Sequence, residues 1–119
     1  MNPRLRGIFI TSEDPARTAR FYREVAKLEL EQIGDAATYV YWRVDRDGMQ
    51  FAIHDARQFS NYTHPARIES NLTHLYFQIE DQSLFLEHLS KLGHEPYATD
   101  DVVVTVEDPD GRKVMFGTA

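Results

Sequence analysis

The stretch Glu107-Asp108-Pro109-Asp110-Gly111-Arg112-Lys113 constrains this chain most. Asp-Pro-Asp-Gly is turn chemistry: proline presets φ, aspartate side chains bond nearby backbone N–H groups, and glycine accepts positive φ. Apolar and β-branched residues flank it, Val102 to Val106 before and Val114 to Phe116 after, so the segment predicts a β-hairpin. A second version of the pattern stands earlier, Asp45-Arg46-Asp47-Gly48 followed by Met49-Gln50-Phe51-Ala52-Ile53. Gly48 and Gly111 lie 63 positions apart, and the chain has 119 residues. Two such hairpins at that spacing read as one unit used twice.

The periodicity before each turn agrees. Leu5 to Thr11 predicts a strand, and Asp14-Pro15 a capped helix start. Thr18, Phe21, Tyr22, Val25 and Leu28 recur at helical spacing, so the helix should reach about Lys27. Leu28 to Ile33, Tyr39 to Val44 and Met49 to His54 predict three further strands. The second half repeats the order: strand Leu72 to Ile79, Asp81 as cap, and a helix with apolar face Leu84, Phe85, His88, Leu89 and Leu92 stopped by Gly93. A short strand at Glu95 to Ala98, then Val102 to Val106 and Lys113 to Gly117, complete it. The caps Asp14 and Asp81 are 67 positions apart, against 63 for the glycines. The second unit is therefore four residues shorter, with the helix and following strand as the natural places. The expectation is an α+β chain of two β-α-β-β-β units, 1–56 and 72–119. Between them lies a long polar loop, Asp55 to Asn71, that includes Pro65.

Composition removes several function classes. The formal net charge is −6, which disfavours nucleic acid, because phosphate binding needs clustered Lys and Arg. Zero cysteines exclude disulfides, thiolate chemistry and zinc–thiolate sites. No apolar run approaches the roughly 20 residues of a membrane span, and the N-terminus lacks a signal-peptide pattern. A cytoplasmic location with no membrane partner is the expectation. The glycosylation patterns at Asn61 and Asn71 then read as chance. No Ser-His-Asp or Cys-His arrangement and no phosphate-cradling glycine loop is present.

The duplicated order, with Phe21-Tyr22 in the first helix and Asp108-Pro109-Asp110-Gly111 before the last strand, resembles the vicinal oxygen chelate superfamily. This group includes glyoxalase I, extradiol dioxygenases, and the fosfomycin- and bleomycin-resistance proteins. The resemblance covers essentially the whole chain. It implies a mixed sheet that curls each unit into half of a cup, and a homodimer in which a cup can combine halves from two chains. It also implies where a metal would be held: seven residues before each capping aspartate, and four after each turn glycine. Those positions are Gly7 and His74, then Ala52 and Met115. Glycine and alanine offer no donor, and a thioether prefers soft copper. His74 is the only candidate ligand, whereas such a site needs three or four. The positions thus argue against the superfamily's metal chemistry, and no cofactor is expected.

Strand alternation gives an expected lining. Gly7, Phe9 and Thr11 share a face, as do His74, Tyr76 and Gln78, then Gln50, Ala52 and His54, then Lys113, Met115 and Gly117. Phe9, Tyr76 and Met115 would supply apolar contact, and Thr11, Gln50, His54, His74 and Gln78 polar groups. Tyr39 and Tyr41 share a face with Arg43, but its direction stays open. Each residue also has a plain structural reading: His74 as a hydrogen-bonding relic, His54 as an exposed strand end, His64 and His94 as solvated, His88 as a core-edge residue. The aspartates of both turns need only turn chemistry, and the adjacent acids Glu107 and Asp108 need no acid–base role. The leading reading is a metal-independent protein of bleomycin-resistance type that sequesters an aromatic or cationic small molecule. The alternative is a lyase, dioxygenase or transferase with a rearranged metal site, in which His74 recruits His54 or His64 and Glu107. A third is a structural or regulatory protein with filled cups.

Overall fold

The computed structural model describes residues 4–35, 37–60 and 73–119. The first unit holds β1 (Gly7–Ser12), α1 (Pro15–Glu24), β2 (Glu31–Gly34), β3 (Val40–Arg46) and β4 (Met49–Asp55). A short helix α2 (Ala56–Ser60) follows. The second holds β5 (Leu75–Gln78), α3 (Gln82–Leu92), β6 (Ala98–Thr99), β7 (Val103–Glu107) and β8 (Lys113–Gly117). The duplicated α+β order is as expected. Each unit forms its own mixed four-stranded sheet, ordered β1-β4-β3-β2 in the first and β5-β8-β7-β6 in the second. In each, the first strand runs parallel to the last and the remaining pairs are antiparallel.

Both helices start as their residues dictate. Asp14 accepts a hydrogen bond from the Arg17 backbone N–H with Pro15 in the first turn, and Asp81 accepts one from Leu84. Gly93 closes α3 at φ 79°. α1 stops at Glu24, short of the expected Lys27. Lys27 itself takes the left-handed conformation, φ 57°, and the Leu28 N–H returns to the Tyr22 carbonyl. A lysine in the place usual for glycine gives no sequence signal for this stop. β2 correspondingly starts later than expected, at Glu31, and β5 begins at Leu75. The Asp55 to Asn71 segment is not all loop: the Asp55 carboxylate accepts from the N–H groups of Arg57 and Gln58 and starts α2. Residues 61–72, with the remainder of that segment, Leu72 and His64, lie outside the described residues. The four-residue shortening is not in the helix, since α3 has 11 residues against 10 in α1. It falls in the strand after the helix and in the connection that follows: β6 has 2 residues against 4 in β2, and residues 100–102 lead to β7 where residues 35–39 lead to β3, while β3 and β7 start at Val40 and Val103, the same offset as the glycines.

One core joins the units. Phe21, Tyr22 and Val25 of the first helical segment pack with Trp42 and Ile53 of one sheet and with Phe85, Leu89, Val104, Val106, Val114 and Phe116 of the other unit. Tyr22 touches Phe51 on one side and Phe77 on the other. His88, at the core edge as expected, hydrogen-bonds the Glu24 carbonyl at 2.6 Å, and His94 packs edge-on to Phe21. Each sheet therefore gives one face to this shared core and turns its other face away.

Candidate functional site

The faces turned away bring together residues that strand alternation had put on one side. In the first unit, register places Phe9 beside Ala52 and Ala52 beside Arg43. It likewise places Thr11 beside His54 and His54 beside Tyr41. Tyr41 and Arg43 thus join the lining, which settles the direction the sequence left open. His54 is the centre of this group. Its ring stacks on Tyr41 at 4.8 Å, tilts against Phe9 at 5.3 Å, and its Nδ1 hydrogen-bonds the Tyr39 hydroxyl at 2.7 Å. His54 is buried, so the exposed strand end expected for it is replaced by an aromatic cluster. Burial holds its pKa below the ordinary 6.5, so it is uncharged at neutral pH. Arg43 spans Glu31 and Asp45 at 3.3 and 2.8 Å, which compensates its charge.

The second lining is more open. His74 is exposed just before β5; Tyr76 and Gln78 follow on the same face. Met115 pairs with Tyr76 and with Thr105, and Lys113 pairs with Glu107. The Tyr76 hydroxyl donates to the Ala119 carbonyl at 2.9 Å, and its ring lies across Gly117 where any Cβ would collide with it. Lys113 sits 4.7 Å over the Tyr97 ring and 3.6 Å from the Glu107 carboxylate. The structure thus gathers Phe9, Thr11 and His54 on one sheet, with Gln50 on the same face. It gathers His74, Tyr76, Gln78 and Met115 on the other.

Three of the four implied metal positions, Gly7, Ala52 and Met115, offer no donor for a hard divalent ion, and at two of them the surroundings leave no room for one. A Cβ on Gly7 would stand 2.7 Å from Cε1 of Phe9, so that aromatic ring takes the space a ligand side chain would need. Ala52 is wholly buried beneath the lining. Glu107 is engaged by Lys113, and His54 belongs to the other sheet. Among the described residues no three His, Asp or Glu side chains group as a metal would require. These residues do not fit the group.

The turn at Asp108 is more than turn chemistry. Its carboxylate accepts from the backbone N–H groups of Asp110 and Arg112, both at 2.9 Å, and from the Tyr22 hydroxyl at 2.8 Å. The Arg112 guanidinium pairs with it at 2.9 Å and also bonds the Thr11 carbonyl. Asp110 accepts from the Thr18 hydroxyl at 2.6 Å and from the Glu13 N–H at 3.0 Å. Burial raises the pKa of Asp110, but the bonds from Thr18, Ser12 and Glu13 and the charge of Arg112 outweigh it and hold the group below the usual carboxylate range. Burial and the Asp108 charge push the Tyr22 phenol far above its ordinary 10.0, so it stays protonated as a donor. This network locks the second unit's turn onto β1 and α1. Its cross-unit half was not legible in the sequence, because Tyr22 and Asp108 are 86 positions apart.

No family model matches the sequence, and no curated protein matches it. Solved structures do. The lactoylglutathione lyase of Agrobacterium tumefaciens is similar with a TM-score of 0.69 at 16% identity, covering 98% of this chain and 94% of that one. The fosfomycin resistance protein FosX of Listeria monocytogenes gives 0.72 at 18%, covering 100% and 93%. The trypanothione-dependent glyoxalase I of Leishmania major gives 0.69 at 14%, covering 98% and 86%. A variant of the Listeria protein has been crystallised with Mn(II) and a dihydroxypropylphosphonic acid.

Proposed function

From this premise, a glyoxalase and FosX fold whose implied metal positions hold Gly7, Ala52, His74 and Met115, we propose a metal-independent small-molecule binding protein. It sequesters a planar aromatic or cationic compound in a cup completed by a second copy of the chain. The observation that carries the reading is the Phe9 ring lying over Gly7, where the resemblance would put a metal ligand. Aromatic surface stands where metal chemistry would be, and aromatic faces hold flat rings and cations. The second copy is part of this reading. The Phe9 and Tyr76 linings belong to different sheets and both turn away from the shared core, so a cup closing over a ligand from both sides takes one lining from each chain. Phe9 and Tyr76 keep 50% and 44% of their surface exposed, which leaves aromatic area for that contact.

The test is thermal stabilisation by a panel of planar aromatic and quaternary ammonium compounds, since a ligand of the native state raises apparent stability. Phe9→Ala and Tyr76→Ala should each abolish the shift caused by a hit. Mixing equal amounts of the two variants rebuilds one intact cup in each heterodimer; about half of the randomly paired dimers are heterodimers, so roughly a quarter of the sites should return. No restoration on mixing would place each cup within one chain. A panel without a single hit would remove the binding reading.

A further inference from the structure

A second concavity lies on the opposite side of the first sheet, away from Phe9 and His54. It exists because the helix is short. α1 ends at Glu24 and the chain reverses at Lys27, while the β3–β4 hairpin continues to Arg46 and Met49. The inner-face side chains beyond the helix, Ile8, Val44, Met49 and Phe51, are left with Leu28 as partial cover. None of them is fully buried, and Ile8 is 39% exposed. They line a crevice of about 230 Å³ with Arg46 and Gln50 at its edge. That is below the roughly 300–1,000 Å³ of sites for drug-sized molecules. The occupant is therefore a short chain and not a multi-ring compound.

Charge decides its head group. Arg6 and Arg43 both pair with Asp45, but Arg46 forms no ion pair among the described residues. Its guanidinium is a planar fork suited to a carboxylate, at the edge of an otherwise apolar trough. We infer that this crevice binds a short aliphatic monocarboxylate, tail against Ile8, Val44, Met49 and Phe51 and head on Arg46. The apolar side chains of the crevice alternate with the lining residues along β1, β3 and β4, so it lies on the other face of the sheet from the cup, with Gln50 of the cup face at its edge.

The experiment is titration of the full chain with octanoate, followed through the methyl resonances of Ile8, Leu28, Val44 and Met49. Saturable shifts of these methyls are expected, together with at least a roughly tenfold weaker affinity in Arg46→Gln, because one charge-assisted anchor is lost. Arg46→Lys should retain part of the affinity, and octylamine should give no saturable shift. The inference is overturned by unmoved methyls, by equal affinity in Arg46→Gln, or by shifts centred on the methyls of Thr11 and Met115 of the lining faces.

Discussion

The turns at Asp45–Gly48 and Asp108–Gly111 begin from nearly the same residues, yet one ends in solvent and the other in the core. In the first, Arg46 pairs with Met49, so only Asp47 and Gly48 make the turn, at φ 54° and 80°. That is the two-residue geometry that suits the twist of a hairpin. In the second, the last ladder pair is Glu107 with Lys113, and residues 108–112 form a wider loop. Pro109 stands where the first turn has Arg46. Proline has no N–H for the closing ladder pair and restricts the residue before it, so the strand must end sooner. The wider loop points Asp108 inward, onto Tyr22 and Arg112. The first turn keeps Asp45 at the surface with Arg6 and Arg43. Pro109 ends the second ladder early, and Tyr22, Thr18 and Arg112 then turn the wider loop into an inter-unit lock. The surface hairpin also leaves the crevice beside Arg46 uncovered.

The largest test of that contrast is Asp108→Ala. The Asp108 side chain is fully buried, and its loss leaves a phenol and two backbone N–H groups without their acceptor and removes the nearest carboxylate from the Arg112 guanidinium. A loss of about 3–5 kcal/mol is expected in urea unfolding. Tyr22→Phe removes a single bond to that carboxylate and should cost about 1.5–3 kcal/mol by the same measurement. Asp45→Ala breaks only exposed pairs and should cost less than about 1 kcal/mol. Equal losses for Asp108→Ala and Asp45→Ala would erase the distinction between the turns.

Acid sharpens the comparison further. Asp110 has its folded pKa depressed, so its contribution is present above the unfolded value of 3.8 and lost as pH falls through the folded one. His54 is also depressed. The unfolded chain takes up that proton first, near 6.5, so stability declines as pH drops below this value. Two acid steps are expected in the urea midpoint, the upper one from His54 and the lower from Asp110. Imidazole resonances that place His54 above 6.5 would reverse the upper sign.

The repeat, the caps at Asp14 and Asp81, and the lining alternation were legible because each rests on local chemistry or a period of two. What was not legible depends on contacts far apart in sequence or on weak local signals. The stop of α1 uses Lys27 in a glycine conformation. α2 is a single turn whose only sign is Asp55. The face of Tyr39, Tyr41 and Arg43 needed the register of β3 on β4, and the bond from Tyr39 to His54 then moved that histidine from a strand end to the centre of an aromatic cluster. The resemblance implied one half-cup per unit, but that the two linings face away from a single shared core could not be read, because it is set by how the units pack.

The proposed function is ligand binding without a metal on a glyoxalase-like fold. The most direct measurement is metal content of protein purified without a histidine tag, then thermal stability during titration with nickel, zinc, manganese and iron(II), for the wild type and His74→Ala. The account predicts less than stoichiometric metal and the same melting temperature with every ion in both proteins. Stoichiometric metal that is lost in His74→Ala would contradict it and make a rearranged metal enzyme the reading to pursue.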